Sequence, residues 1–194
     1  MNTHSIRVEA YDDGYFPYHF KGGRGSTFIV GVLAEEISKV SKIAWTTVRT
    51  DMNTASRAII EISRILGGDV VLLDGITYAG FDVVDPDYVS SILKKSVIVI
   101  FQYSLNLRSI EKALRKHFTD WKTRLEVIER VYLSSTYVDT WWRAIRVYAS
   151  NMSITNAINV VRSLCMYSPV PEPLRIADKI ASAVSKMHVD KLLR

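Results

Sequence analysis

The chain of 194 residues holds a single cysteine, only 5 prolines and no long hydrophobic run. The one thiol, that of Cys165, cannot form a disulfide within the chain, which excludes a disulfide-stabilised scaffold and indicates a reducing compartment. No apolar run approaches the roughly 20 residues that cross a membrane, and the N-terminus lacks the apolar core of a signal peptide. We therefore expect a soluble, cytoplasmic protein without a membrane partner.

The motifs of several enzyme classes are also absent. The histidines form no pair at the spacing of zinc ligands, and no serine or cysteine nucleophile elbow occurs. The glycine-rich segment 21–26 matches neither the P-loop nor the dinucleotide-binding pattern, and it lies between two predicted strands. We interpret it as a hairpin loop whose Arg24 contacts a nucleic-acid backbone.

The composition is that of an ordinary globular protein, with 48% hydrophobic and 23% charged residues, and the length predicts a single domain over 1–194. The net charge of +5 is unevenly distributed. Residues 1–87 hold 8 Lys and Arg against 12 Asp and Glu, whereas residues 88–194 hold 17 against 8. Either the carboxylates surround a metal ion and the basic half binds phosphates, or the basic residues simply solvate surface helices.

The first half of the chain changes from a strand pattern to alternating helices and strands. Three β-rich segments, which predict an antiparallel meander, lie at 6–12, 27–34 and 43–50. Helical spacing follows over 55–66, with Asp51 or Asn53 as the candidate N-cap. Buried strands are expected at 70–73 and 97–101, with a helix after Asp85 between them. This order predicts an α/β protein with an RNase H-like mixed sheet.

The second half is mostly helical. Helices are predicted at 108–131, with a break near 119–120, at 154–166 and at 171–186. Two segments, 131–138 and 142–148, fit either strands or transitional structure.

Three aspartates follow the predicted elements in a way that suggests a metal site. Asp12 ends the first strand, Asp74 ends the fourth, and Asp51 precedes the first helix. If the first and fourth strands are neighbours, their carboxylates emerge at one edge of the sheet, where sites commonly form. Such oxygen ligands suit Mg²⁺ or Mn²⁺, which support phosphoryl displacement. Taken singly, each aspartate is better explained as a turn or cap residue, and only their common position in the topology favours a metal site.

Other side chains are candidates for nucleic-acid contacts. The basic residues assigned to backbone phosphates are Arg24, Lys112, Lys116 and Arg124. Tyr15, one of several aromatics near the predicted site, is a candidate for stacking on a base. Core packing is the other explanation for such aromatics, particularly for Trp141 and Trp142.

Three segments, 8–16, 71–81 and 170–178, together resemble the largely archaeal family known as domain of unknown function ninety-nine, a distant relative of endonuclease V. The resemblance covers nearly the whole chain. It implies an RNase H-like fold and Mg²⁺-dependent cleavage of DNA or RNA, with Asp12 and Asp74 matching family ligands. In the family a glutamate begins the first helix, and Asp51 is its nearest counterpart in this chain. The family's Pro-Tyr-Ile-Pro wedge, which precedes that helix and probes the damaged base, has no counterpart here.

The leading hypothesis is a divergent, endonuclease V-like, Mg²⁺-dependent nucleic-acid phosphodiesterase. The main alternative is a nucleic-acid-binding or interaction module that kept the fold without the chemistry. A third is metal-dependent chemistry on a nucleotide or other small phosphate. Which polymer is bound, and in what oligomeric state, stays open at this point.

Overall fold

The computed structural model describes residues 6–35, 37 and 39–192. Its main sheet has seven strands, and a two-stranded ribbon lies apart from it. The elements in chain order are β1 (Val8–Asp13), a 3-10 turn (Tyr18–Phe20), β2 (Ser26–Ala34), β3 (Val40–Arg49), α1 (Ala55–Leu66), β4 (Val70–Asp74), β5 (Thr77–Tyr78), β6 (Asp82–Val83), α2 (Pro86–Leu93), β7 (Ser96–Phe101), α3 (Leu107–His117), α4 (Trp121–Leu133), β8 (Thr136–Asp139), β9 (Ala144–Ser150), α5 (Ile154–Leu164) and α6 (Glu172–Leu192).

The main sheet mixes parallel and antiparallel strands in the order β3-β2-β1-β4-β7-β9-β8. The central strands β1, β4 and β7 are parallel, whereas β2 and β3 on one side and β9 and β8 on the other are antiparallel to their neighbours. The predicted mixed sheet, a meander followed by parallel strands with crossover helices, is therefore confirmed. Parallel strands bring their carboxyl ends to one edge, which we call the carboxylate edge.

Helices cover both faces of the sheet, which is why the central strands are apolar on both sides. In β4, Val71 and Leu73 pack into one hydrophobic cluster, together with α1, α2 and α4. Val70 and Leu72 pack into the other cluster, with α5 and α6. Because side chains alternate along a strand, the next residue, Asp74, points to the side of α5 and α6.

A buried ion pair links the sheet to its helices at the edge opposite the carboxylate edge. Glu9 is fully buried, and its carboxylate accepts hydrogen bonds from Lys95 Nζ at 2.7 Å, from Tyr11 Oη at 2.8 Å and from the Gly68 backbone at 2.6 Å. Lys95 Nζ also donates to Ser63 Oγ of α1. A buried carboxylate is tolerated only with such partners, so this network ties β1, α1 and the start of β7 together.

The start of α1 differs from the prediction. Neither Asp51 nor Asn53 caps the helix; the N-cap position is Thr54, whose own side chain does not cap it. Instead, Asp82 Oδ2 of β6 accepts from the backbone N–H groups of Thr54 at 2.7 Å and Ala55 at 3.1 Å. A carboxylate distant in sequence satisfies the free backbone N–H groups of the first helical turn, which a local pattern does not reveal.

The segments that the sequence left open between strand and transitional structure divide cleanly. Residues 131–133 complete α4, and β8 and β9 form a hairpin at the end of the sheet. The assignment of Trp141 and Trp142 to the core is wrong, because both lie in the turn of this hairpin, with 92% and 58% of their surface exposed.

Cys165 is buried, and burial raises the pKa of its thiol to about 11, as expected for an inert cysteine. No helix within the described ranges is long and apolar enough to cross a bilayer.

Candidate active site

Two aspartates end neighbouring parallel strands at the carboxylate edge. The register of β1 and β4 pairs Tyr11 with Leu73, so the following residues, Asp12 and Asp74, stand side by side. Adjacent strands are about 4.8 Å apart, and both side chains point to the face covered by α6. The structure thus brings together the two aspartates that the topology argument paired.

The two carboxylates are poorly compensated. Burial, followed by the nearby charges of Asp74 and Asp13, raises the pKa of Asp12 from 3.8 to about 8. Burial also raises the pKa of Asp74 to about 6, against a lowering effect of its hydrogen bond from Gln102. Among the described residues, no lysine or arginine lies within ion-pair distance of either carboxylate. The fold therefore holds two acidic groups side by side without a basic partner, and when both are ionised they form a concentration of negative charge.

Two further aspartates contribute to this negative field, and the sequence analysis missed both as site residues. Asp178 of α6 acts electrostatically on both Asp12 and Asp74. Its own carboxylate contacts the exposed Lys179 at 2.9 Å. Asp13 points to the other face, where Oδ2 accepts from the Ala79 backbone at 2.8 Å, and burial raises its pKa to about 6. The sequence signal for Asp178 was its place at the end of the resemblance segment 170–178.

Neutral groups fix the positions of the two strand ends. The buried hydroxyl of Tyr78 donates to the Tyr11 carbonyl and accepts from the Asp74 backbone N–H, both at 3.2 Å. The Gln102 side-chain amide donates to Asp74 Oδ2 at 2.6 Å. These contacts hold Asp74 in place without neutralising it.

Close packing brings α6 to the site. Gly14 follows the two aspartates of β1, and a Cβ at this position would lie only 2.6 Å from Ser185 Cβ and 2.9 Å from Thr27 Oγ1. The missing side chain of Gly14 therefore lets α6, which carries Asp178, approach the end of β1.

Asp51 does not join the pair. Its Oδ2 accepts from the Gly22 backbone and its Oδ1 from the Phe81 backbone, each at 2.7 Å, and the residue is buried. Asp51 has a left-handed backbone conformation, with a φ of 64°. Its two side-chain hydrogen bonds connect the loop of Gly22 to the loop of Phe81. Its carboxylate is used by the fold, so the structure does not support the third-ligand role assigned from sequence.

Arg124 is likewise used within the protein. It is buried, its guanidinium donates to the carbonyl groups of Phe81 and Asp51, and it pairs with Asp120 at 2.9 Å. This arrangement contradicts the expectation that Arg124 contacts backbone phosphates, because the guanidinium faces the interior.

The other predicted contacts are exposed. Tyr15 and Arg24 lie in the segment between β1 and β2, which leaves the sheet at the carboxylate edge. Lys112 and Lys116 are exposed on α3, one helical turn apart, so they share a face. The structure leaves these four side chains accessible to a ligand.

The donor set suits a divalent cation that needs few protein ligands. Within 6–35, 37 and 39–192, no group of three or more His, Cys, Asp or Glu side chains is arranged to hold a metal ion. Mg²⁺ does not require such a cage, since it commonly binds through one or two carboxylates and completes its shell with water and substrate phosphates. The oxygen-only pair of Asp12 and Asp74 fits that mode of binding.

Comparison with known proteins identifies the family. The sequence model of the family described as endonuclease dU matches residues 4–185. This chain belongs to the endonuclease dU family. Among its relatives, a UPF0215 protein of Thermococcus gammatolerans is 34% identical over 182 residues, covering 92% of each chain. The UPF0215 protein PF2042 of Pyrococcus furiosus is 35% identical over 193 residues, covering 96% of this chain and 95% of its own. The description of the family is thus endonuclease dU, and the label of domain of unknown function ninety-nine is not confirmed.

Solved structures confirm the RNase H-like fold of this endonuclease dU family member. A protein of unknown function from Archaeoglobus fulgidus superposes with a TM-score of 0.76 at 21% identity, covering 92% of this chain and 98% of its own. Endonuclease V of Ciona intestinalis, bound to inosine-containing DNA, gives a TM-score of 0.63 at 15% identity, covering 96% of this chain and 87% of its own. Argonaute of Marinitoga piezophila, bound to guide RNA, gives 0.52 at 11% identity and covers 93% of this chain and 30% of its own. The predicted similarity to endonuclease V therefore holds at the level of the fold.

Proposed function

We propose that this chain is a nuclease that hydrolyses phosphodiester bonds of nucleic acid with Mg²⁺ or Mn²⁺ at Asp12 and Asp74. One observation carries the proposal: two half-buried carboxylates end adjacent strands, and among the described residues no cationic side chain neutralises them. Uncompensated charge of this kind destabilises a fold, and raised carboxyl pKa values of this kind cluster at functional sites. Membership of the endonuclease dU family supports the same conclusion.

Each side chain has a distinct part in this proposal. Asp12 and Asp74 provide the ligands, Gln102 orients Asp74 through its amide, and Asp178 strengthens the negative potential from α6. A divalent cation, when bound, activates water and offsets the charge of the phosphate. The carboxyl groups must be ionised to act as ligands, so the raised pKa of Asp12 predicts cation binding that strengthens up to about pH 8.

The family description directs the choice of substrate. Endonuclease dU names deoxyuridine, so DNA containing deoxyuridine is the first substrate to test. Inosine-containing DNA is the second, because it is present in the similar endonuclease V structure. Arg24, Lys112, Lys116 and Tyr15 are proposed contacts to the polymer. Cleavage assays run side by side on DNA and RNA versions of each substrate decide between the two polymers.

The test is a cleavage assay on single-stranded and duplex DNA and RNA with deoxyuridine, uridine or inosine, in Mg²⁺, Mn²⁺ or chelator. We expect product that depends on the cation, and a loss of roughly 100-fold or more in Asp74→Asn, because removing a ligand removes several kcal/mol of transition-state stabilisation. The control is Glu61→Gln, which alters an exposed carboxylate of α1 outside the pair.

Cleavage that continues in Asp74→Asn or in chelator contradicts the proposal. Binding without product from any polymer supports instead a nucleic-acid-binding module that kept the fold and lost the chemistry. Hydrolysis confined to a small phosphodiester supports the third alternative, a small-phosphate substrate.

A further inference from the structure

The hairpin of β8 and β9 extends past the carboxylate edge. Asp74 pairs with Ile100, Ile100 with Val147, and Val147 with Thr136, so these residues stand at one level across the sheet. From Thr136 the hairpin continues for three more residues to Asp139 before it turns. At about 3.3 Å per residue, its paired part reaches about 10 Å beyond the level of Asp74.

Large aromatic side chains are exposed on and beside this hairpin. Trp141 and Trp142 lie in the turn, 92% and 58% exposed, while Tyr137 on β8 and Tyr103 in the neighbouring loop are 61% and 72% exposed. More than half of the surface of each of these side chains stays exposed to water. A concentration of exposed apolar surface marks a binding site for a partner.

Arginines accompany these aromatic rings. The Arg143 guanidinium lies 4.7 Å from the ring centre of Tyr103, and that of Arg146 lies 4.6 Å from the ring of Tyr137. Arg162 of α5 donates to the Asp139 carbonyl and lines a pocket with Trp141. Within 134–150 the only acidic residue is Asp139. Positive charge beside exposed aromatic faces is the combination that single-stranded nucleic acids recognise.

This surface is continuous with the candidate active site. A pocket of about 270 Å³ lies between the hairpin and residues 101–104, and its lining includes Gln102, Tyr137 and Arg143. Gln102 in turn donates to Asp74. Two interstrand spacings separate β9 from β4, which places the hairpin about 10 Å to the side of Asp74.

We propose that this overhanging hairpin is a stacking platform for unpaired bases of a nucleic-acid strand that crosses the carboxylate edge. The inference rests on the proposed function, because the active site supplies the reason for a polymer to lie there. Trp141 and Trp142 stack on bases, and Arg143 and Arg162 contact phosphates. Paired bases inside a duplex do not present their faces to side chains, so the platform selects single-stranded segments.

The test is binding of a fluorescent oligothymidylate and an oligouridylate of about 12 nucleotides, within the reach of known single-strand sites. Anisotropy is measured on the full chain without divalent cation, so that binding is read independently of cleavage. We expect Trp141→Ala combined with Trp142→Ala to weaken binding by roughly 5- to 100-fold, the range for lost base stacking. Phenylalanine at both positions restores most of the binding.

Trp45→Ala is the matched control, because Trp45 is 55% exposed on β3, at the opposite side of the sheet from β8. This variant binds like the unmodified protein. All three tryptophans are exposed, so thermal unfolding stays unchanged in every variant.

The platform is refuted if the unmodified protein binds neither oligomer. It is also refuted if the double alanine variant binds within about twofold of the unmodified protein, given the scale of stacking effects. The third contrary result is a double substitution that weakens binding to duplex as much as binding to the single strands. The experiments distinguish failure of the hydrolysis proposal from failure of the platform proposal. Stacking-dependent binding without cleavage in any cation refutes hydrolysis and leaves the platform intact. Cleavage lost in Asp74→Asn but kept in the double alanine variant, with unchanged binding, refutes the platform alone.

Discussion

Replacing Asp12 by asparagine should stabilise the cation-free protein at alkaline pH. The pKa of Asp12 rises from 3.8 to about 8 in the folded chain, through burial and the charges of Asp74 and Asp13. In the unfolded chain the carboxyl titrates near its ordinary value of about 3.9. Between these values the folded state holds the proton more tightly, so the free energy of unfolding falls as pH rises and levels off above about pH 8.

The magnitude follows from the shift. About four pKa units at 1.36 kcal/mol each set a ceiling of about 5 kcal/mol for this group. Asp74 and Asp13, with pKa values of about 6, titrate within the same range and share the repulsion. We therefore expect Asp12→Asn to gain about 2 to 5 kcal/mol near pH 9 and almost nothing near pH 4. Asparagine keeps an oxygen acceptor for the Asp13 backbone N–H, which lies 2.8 Å from Asp12 Oδ1.

The assay is urea unfolding in chelator across this pH range, with Asp139→Asn as the exposed carboxylate control. Mg²⁺ added at alkaline pH should stabilise the unmodified protein more than Asp12→Asn, because the ion binds only the folded pair. A gain that is the same near pH 4 and near pH 9, or no gain at all, refutes the reasoning that unmatched charge at Asp12 costs stability.

Two further predictions concern the partners of buried carboxylates. Gln102→Leu removes the donor to Asp74 Oδ2, so it should raise the pKa of Asp74 and weaken Mn²⁺ binding by roughly 10- to 100-fold in calorimetric titration, and unchanged affinity counts against an orienting role. Lys95→Met leaves the buried Glu9 without its cation, so it should lower the free energy of unfolding by about 3 to 5 kcal/mol in urea. Lys94→Met, at an exposed neighbour, is its control, and similar losses in both variants would contradict the buried pair as the cause.

Local periodicity and turn chemistry were sufficient to predict most of the fold. The helix over 55–66 follows from the spacing of its apolar residues, and Gly67, which ends it with a φ of 73°, is a local stop signal. The pairing of Asp12 with Asp74 also followed, because the strand order constrains which ends become neighbours. The role of that pair as a cation site stays a proposal.

The residues that sequence misassigned depend on contacts between distant segments. Asp178 reaches the site only because α6 packs across the sheet, and Asp82 caps α1 across 27 positions of sequence. Arg124 matched a basic surface helix by pattern, yet it is buried beneath the Phe81 loop. Trp141 is exposed because the register of β9 on β7 carries the hairpin turn beyond the sheet. None of these arrangements leaves a periodic signal.

The close approach of Ser185 to Gly14 has a consequence for the history of this family. Any side chain at position 14 displaces α6, and with it Asp178, although Gly14 itself contributes no functional group. Selection on the proposed cation site would therefore act on this backbone position as well. In relatives that keep aspartate at the positions of Asp12, Asp74 and Asp178, we expect glycine at the position of Gly14. In relatives that have lost those acids the constraint is relieved, so a larger residue there marks a protein that retains the fold without the proposed cation site.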